Sequence, residues 1–490
     1  LSASQLPGDK PAPSIERVWA IFAEIEARER LVDWRIGSIY LWPLLRGMLM
    51  REVTEQLGIF ERRPPSPQAY YAPESAEAVA RFMPADYAVV PFTRRDSNGL
   101  DPFSGFIVDS LKAHGHKPLV LGMGPEDAGS GRPQVENLEQ EFMARYRRPA
   151  MLLVAPTLRK AHVAKYSRVI RHIESELLSE TVHLGLDVTT ITGPYRHFPR
   201  WLLVQFAAQR MGWKKFFLTA KVRKVFIVNA WKRALIAGAQ AAGVTVVEPQ
   251  HGAISGIHPY LSWAGTETVA YQPDEFLEWG HYWGEVAELP ARTKRTVIGA
   301  PDFITDAIER ESQLARQGEA HQPRTVLIAS QAHASKAIVE FLVAAASAHP
   351  DFLFVLKQHP QEAPANFGPA APANLQLADP AADTLDLMSR SEFVLGIYTT
   401  ALFEALALGC KVGVLTFSGW QHIRALVERG DASLIEDQSA LDSFLKNLSE
   451  PNVTGQDVIG QNASVRERAA YYYAKPASEA ELWAALKIAE

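Results

Sequence analysis

The sequence predicts an α/β protein built as two doubly wound, Rossmann-like domains facing a cleft, with an extra helical region in front. Three observations carry this. Short apolar runs alternate with helix-length segments from residue 86, and the same alternation restarts at residue 325. Alternation of that kind marks βαβ units and a parallel sheet. Between the two series, Thr296-Val-Ile-Gly-Ala-Pro-Asp302 runs a strand-like segment into Gly and Pro, as a hinge would. Finally, 490 residues exceed what one ordinary core accommodates.

The elements follow in order. Residues 1–61 read as helical. Ser14-Ile-Glu-Arg-Val-Trp-Ala-Ile-Phe carries apolar residues at helical spacing behind a capping serine, and a second helix is predicted over Ile39 to Leu57. Arg62-Arg-Pro-Pro-Ser-Pro-Gln68 is a linker by composition. The first sheet takes strands at Asp86–Phe92, Pro118–Gly122, Ala150–Ala155, Lys224–Asn229 and Val244–Glu248, with a helix over Phe103 to Ala113. Strands of the second sheet are predicted at Thr325–Ser330, Phe352–Lys357, Phe393–Gly396, Lys411–Leu415 and Ala432–Ile435. A last helix, from about Ser478 to Ala489, is expected to cross back to the first domain. The predicted organisation is a helical region and linker over 1–80, Rossmann-like domains over 81–298 and 299–465, and a closing helical segment over 466–490.

Composition narrows the function classes. A hydrophobic share of 47% against 21% charged residues is that of a soluble globular protein. Net charge of −5 argues against a nucleic-acid binder. The single cysteine, Cys410, excludes a disulfide framework and a cysteine-rich metal site, which fits a reducing cytosol. The apolar run Gly37 to Met50 contains Arg46 and is too short to span a membrane, and no signal peptide is visible. A cytoplasmic protein, peripheral at the inner face of the membrane, is the expectation.

Three loops carry the candidate chemistry, and each is predicted at a strand's carboxyl end, where open α/β sheets bind ligands. In Val246-Val-Glu-Pro-Gln-His-Gly-Ala-Ile-Ser255, His251 can act as general base or phosphate partner, and Gly252 lets the backbone approach a ligand. The plain alternative is a turn closed by a histidine. In Phe354-Val-Leu-Lys-Gln-His-Pro-Gln-Glu362, Lys357 and His359 together can neutralise a phosphate, or simply decorate a solvated loop. In Gly396-Ile-Tyr-Thr-Thr-Ala-Leu-Phe-Glu-Ala-Leu-Ala-Leu-Gly409, Thr399 or Thr400 caps a helix that Gly409 ends. That helix start suits a phosphate, and Glu404, one turn in, can accept hydrogen bonds from a ribose. An ordinary strand–helix–strand unit with a threonine cap looks the same.

Taken together and in this order, the three loops resemble those of GT-B glycosyltransferases that build bacterial surface polysaccharides. That group spans sialyl- and polysialyltransferases, Kdo transferases and the related CDP-glycerol glycerophosphotransferases. His251 matches the His-Gly element, His359 the His-Pro element, Thr399 and Thr400 the hydroxyl pair, and Glu404 the helix glutamate. The resemblance covers about residues 248 to 415. Phe276-Leu-Glu-Trp-Gly280 and Val297-Ile-Gly-Ala-Pro301 also look like the interdomain segment of such enzymes. It implies a GT-B fold, an N-terminal acceptor domain and a C-terminal nucleotide-sugar domain in which His359 and the threonines hold the donor phosphate. Two departures bear on the donor: the first motif carries Gln250-His251 where sialyltransferases have an acidic pair, and the hydroxyl pair is Thr-Thr where they have Ser-Ser. Retaining GT-B enzymes pair the helix glutamate with a second one. The matching positions here are Gly396 and Val412, which favours inversion.

An inverting transfer needs a base, for which His251 competes with Asp96 and Asp101 of the loop Thr93–Asp101. No dense carboxylate cluster is visible, so the transfer is predicted to need neither metal nor other cofactor. Between Val188 and Val247 there is no Asp or Glu, while basic residues, Lys214, Lys215 and Lys221 among them, alternate with aromatics. The stretch 196–233 therefore suits an anionic membrane or acidic glycan, or else packs its aromatics on the sheet. The predicted function is metal-independent, inverting transfer of a sugar from a nucleotide donor, CMP-linked before UDP-linked, to a saccharide or glycolipid acceptor in capsule, lipopolysaccharide or related surface-glycan assembly. The competing readings are a CDP-polyol phosphotransferase, a sugar-nucleotide epimerase, and a non-catalytic binding protein of a polysaccharide assembly complex.

Overall fold

The computed structural model describes residues 13–60, 83–92, 101–123, 132–155, 160–228, 231–317, 322–331, 334–359, 362, 364–368, 371–446 and 470–488. A short hairpin, β1 (Arg35–Ile36) and β2 (Ile39–Tyr40), separates two N-terminal helices, Ile15–Glu29 and Trp42–Gln56. The first helix starts where its serine cap predicts, with the Ser14 hydroxyl accepting from Arg17 N–H at 3.2 Å. The second starts three residues later than expected because Ile39 and Tyr40 pair in the hairpin.

Two parallel six-stranded sheets follow. The first runs β3 (Tyr87–Val90), β4 (Leu119–Val120), β5 (Lys224–Ile227), β6 (Thr245–Pro249), β7 (Glu275–Glu278) and β8 (Lys294–Val297), in spatial order β4-β3-β5-β6-β7-β8. The second holds β9 (Gln322–Ala329), β10 (Leu353–Lys357), β11 (Leu375–Leu377), β12 (Ser391–Gly396), β13 (Lys411–Leu415) and β14 (Ser433–Ile435), in order β11-β10-β9-β12-β13-β14. Numbered within its own sheet, that is the 3-2-1-4-5-6 order of a dinucleotide-binding fold. The two sheets agree with the GT-B-like class of two Rossmann-like halves.

Alternation builds each sheet. In the first, Ala88, Val90, Val225 and Ile227 enter one buried cluster while Tyr87, Val89, Phe226 and Val247 enter another. A strand whose two faces are both covered reads as a continuous apolar run, which is why these strands were visible in the sequence. One face is covered by helices Val135–Val154, Arg200–Ala220 and Arg233–Ala241, the other by Gly105–Ala113 and Glu479–Leu486. The last of these returns from beyond the second sheet. Ser110 donates to Glu479 at 2.8 Å, and Ile488 N–H donates to the Tyr87 hydroxyl at 3.1 Å.

Several expectations are corrected. Ala150–Ala155 is no strand but the end of the helix Val135–Val154, with Met151, Leu152 and Leu153 exposed. An apolar run this short has the same look in a buried strand and at a helix end. Strands β7 and β11 were not expected: β7 is bracketed by Glu275 and Glu278, and β11 buries only Leu375. Glu278 is tolerated inside because Arg295 donates to it at 2.7 Å.

The sheets meet through a shared apolar core in which Trp279, Tyr282 and Trp283 pack with Phe403, Val412, Tyr472 and Tyr473. At the expected hinge, Gly299 has φ +89°, and a Cβ there would sit 2.4 Å from the Lys475 carbonyl oxygen. Only glycine serves at such a crossing. Among the described residues no helix is long and apolar enough to cross a membrane.

Candidate functional site

In the second sheet β9 and β12 lie side by side, yet the chain leaves them in opposite directions, to β10 and to β13. The crevice between their carboxyl ends is the topological switch point, where such sheets bind ligands. One side chain spans it: Gln331, just past β9, accepts from the Tyr398 N–H at 2.9 Å through its Oε1. The helix opening there, Ala401–Ala407, begins after Thr400, whose hydroxyl makes no capping bond. Thr399 Oγ1 accepts from Ala401 N–H at 3.3 Å, and Gly409 adopts φ +81° at the far end.

The His-Pro loop after β10 is organised by a residue the sequence reading passed over. Glu362 accepts from the hydroxyls of Ser330 (2.8 Å) and Ser335 (2.5 Å) and from His359 N–H (2.8 Å). One carboxylate thus holds the β9 and β10 loops together and leaves His359 exposed beside the crevice. Lys357 is placed differently from what a phosphate clamp requires. Its side chain is buried and its ammonium donates to the carbonyls of Asp379 (3.1 Å) and Pro380 (2.7 Å), which closes the loop after β11.

Glu404 lies half-buried one turn into its helix. Its charge, after burial, helps push the Tyr473 hydroxyl well above the ordinary phenol range. That hydroxyl is buried and makes no hydrogen bond among the described residues. A buried polar group without a partner is uncommon.

From the first sheet, the His-Gly loop leaves β6 under firm control. Gln250 is buried, donates to Gly252 O at 3.0 Å and accepts from Trp279 N–H at 3.0 Å. His251 Nδ1 lies 3.8 Å from Glu248 Oε1, and its ring centre stands 5.2 Å from Phe92 and 6.3 Å from Phe103. Burial against these rings pushes its pKa down to about 4, so the imidazole is neutral at physiological pH, with a quarter of the side chain still open to solvent. A Cβ at Gly252 would meet nothing within 4 Å, so the space beside this loop is open.

Of the rival bases, Asp96 lies outside the described residues. Asp101 is buried and accepts from Phe92 N–H (2.9 Å), Phe103 N–H (3.0 Å) and the Ser104 hydroxyl (2.6 Å). These bonds tie the end of β3 to the start of helix Gly105–Ala113 and hold the two phenylalanines that wall His251.

The two sides touch through side chains that no motif announced. Ser255 Oγ and His422 Nδ1 are 2.9 Å apart. The His422 ring packs 5.2 Å from Tyr398 and 6.1 Å from Phe60, which belongs to the N-terminal helical region. His258 is driven down to about 3, first by burial and then by His422 and His251, so the three imidazoles share one neighbourhood. Its Nδ1 accepts from Leu261 N–H at 3.1 Å, a bond that requires the neutral ring. The structure thus connects the His251 loop to the Tyr398-Thr399-Thr400 turn through Ser255 and His422. Among the described residues no group of three or more His, Cys, Asp or Glu gathers as a metal site would require.

No protein-family model and no curated protein sequence matches this chain. Solved structures do. A UDP-GlcNAc 2-epimerase from Neisseria meningitidis bound to UDP-GlcNAc aligns at 13% identity and a TM-score of 0.39, over 78% of this chain and 96% of that one. The kitacinnamycin glycosyltransferase aligns at 12% and 0.42, over 76% and 92%. The wall teichoic acid polymerase TagF, in the structure soaked with CDPG, aligns at 11% and 0.32, over 51% and 65%. Likeness this remote carries no argument about chemistry, which has to be read from the cleft of this chain.

Proposed function

We propose that this chain is an inverting transferase that moves a sugar from a nucleotide donor to a saccharide acceptor. The observation that carries it is the switch-point crevice of the second sheet, whose Tyr398–Thr400 turn is linked through His422 and Ser255 to the loop that bears a neutral, aromatic-walled His251 on the first sheet. The donor phosphate sits against Thr399, Thr400 and His359, and its ribose against Glu404 and the Tyr473 hydroxyl. Lys357 acts on the loop and not on the phosphate, since its protons go to Asp379 and Pro380. His251 takes the acceptor hydroxyl's proton as that oxygen bonds to the anomeric carbon. The bond from that carbon to the phosphate oxygen breaks, and the nucleotide leaves with the electron pair. Donors on the crevice side stabilise the charge that develops there. The loop resemblance favours a CMP-linked donor, with a UDP-linked one next, and an acceptor from bacterial surface-glycan assembly.

The test is thermal stabilisation by CMP, CDP, UDP, GDP and dTDP, each with and without EDTA. A ligand that binds only the folded state raises the melting temperature, by about 2.7 kcal/mol of stability at a hundredfold excess over Kd. One nucleotide is expected to give an EDTA-insensitive shift that His359→Ala and Thr400→Ala abolish. CDP alone would redirect the reading to polyol-phosphate transfer, and UDP-sugar turnover without acceptor to epimerisation. No shift with any nucleotide would overturn an enzymatic reading of the crevice.

A further inference from the structure

Exposed large apolar side chains are distributed unevenly. Met151, Leu152, Leu153 and Trp201 are 50%, 78%, 39% and 55% exposed, and all lie in the helical layer outside the first sheet. The first three are consecutive at the end of helix Val135–Val154, where the fold buries only Ala150 and Val154. Trp201 belongs to the same surface, because the Arg147 guanidinium stands 5.2 Å over its ring. Arg147 and Met151 lie one turn apart on one face, as do Arg148 and Leu152.

The chain segment that carries most of this patch has charge of one sign. From Phe142 to Ile173 the sequence has eight Lys and Arg and no Asp or Glu. Two of these cations are occupied by the N-terminal helix: Arg168 pairs with Glu29 at 3.0 Å, and Lys165 donates to the Glu29 carbonyl at 2.5 Å. Arg147, Arg148, Lys160 and Arg200 are exposed and make no ion pair among the described residues. On the rest of the stretch 196–233, beyond Arg200 and Trp201, Phe206, Trp213, Phe216 and Phe217 are all core, so most of its aromatics are unavailable to a partner.

We infer that the helix end Arg147–Leu153, with Trp201, docks on an anionic lipid surface. Leu152 and Met151 enter the headgroup–acyl boundary, Trp201 lies at the interface, and the arginines keep their heads at phosphate level. Apolar side chains ringed by cations suit this occupant, because burial and headgroup attraction add. On a chain of net charge −5, exposed cations without an ion pair among the described residues stand beside these exposed apolar side chains, which is the required complementarity. The inference is independent of the transfer reading and stands or falls on binding alone.

The test is co-sedimentation of the full chain with vesicles of phosphatidylcholine alone and of phosphatidylcholine mixed with phosphatidylglycerol. Binding to the mixed vesicles only, weakened by salt, is expected. Leu152→Glu should lower the partition coefficient by at least about tenfold, and Arg147→Gln with Arg148→Gln by roughly tenfold or more. Both changes are on the surface, so melting temperature and circular dichroism should be unchanged. The charge-matched pair Lys214→Gln with Lys215→Gln should cost less. Three results would overturn the inference. They are no binding to anionic vesicles, full binding by Leu152→Glu, or a larger loss from the lysine pair than from the arginine pair. Concentration-dependent dimerisation that Leu152→Glu abolishes, without vesicle binding, would assign the face to a second copy of the chain instead.

Discussion

The two sheets present their strand ends to the cleft in opposite ways. On the second sheet the ends are polar and tied by hydrogen bonds, with Glu362 and Gln331 lashing loops together beside an exposed His359 and two half-buried threonines. The first sheet instead offers a neutral histidine set against phenylalanine rings and held by a buried glutamine. In the proposed transfer, the first kind of strand end would fix the donor's phosphate and the second would take the acceptor's proton. Two parallel six-stranded sheets, one in the order 2-1-3-4-5-6 and the other 3-2-1-4-5-6, thus differ in what surrounds their strand ends.

The sharpest way to break this contrast is to exchange the roles of His251 and Asp101. His251→Gln should lower kcat/KM of the transfer about 10²- to 10⁴-fold with an unchanged melting temperature, since general-base groups contribute on that scale. Asp101→Ala should instead destabilise the fold by about 1–3 kcal/mol, because its three donors lose a buried acceptor. Steady-state kinetics beside thermal melts of both variants decides it. If Asp101→Ala folded normally and lost turnover, the base would be Asp101.

A second effect, on stability alone, concerns acid. His251 and His258 are depressed to about 4 and about 3, below the ordinary histidine value near 6.5. The unfolded chain therefore binds more protons than the folded one below pH 6.5. Stability falls as pH drops through that window, by up to about 1.4 kcal/mol per pH unit for each ring, until the folded values are reached. Urea midpoints between pH 7 and pH 4 test this, and the His258→Gln variant should show the shallower slope.

The smallest expected change sharpens the other side. Tyr473→Phe removes a buried hydroxyl that has no partner among the described residues, so stability should hold or rise by up to about 1 kcal/mol. Nucleotide affinity should fall roughly fivefold, the scale of one hydrogen bond. Calorimetric titration checks it, and unchanged affinity would remove Tyr473 from the ribose site.

Much of the fold was legible because central parallel strands announce themselves: Tyr87–Val90 and Phe393–Gly396 are unbroken apolar runs with both faces covered. Segments that failed lacked that property. Leu375–Leu377 buries one residue of three, and Met151–Leu153 is apolar for a reason other than the core. The loops bearing His251, His359 and Thr399–Thr400 were visible from their positions after strands. Glu362, Ser255, His422 and Tyr473 were not, because each acquires its meaning from a partner distant in sequence, Ser255 from a residue 167 positions away. Lys357 shows the converse: residue type and position suggested a phosphate ligand, while three-dimensional placement gave its protons to carbonyls.

The return of the chain to the first sheet also sets an order of assembly. Helix Glu479–Leu486 covers that sheet, and Ile488 bonds to Tyr87 across 401 residues. On a ribosome, β3 emerges long before the segment that shields one of its faces. All strands of the second sheet, whose contacts are nearer in sequence, are synthesised in between. During synthesis, part of one apolar face of the first sheet therefore stays uncovered until the last segment of the described chain has been made.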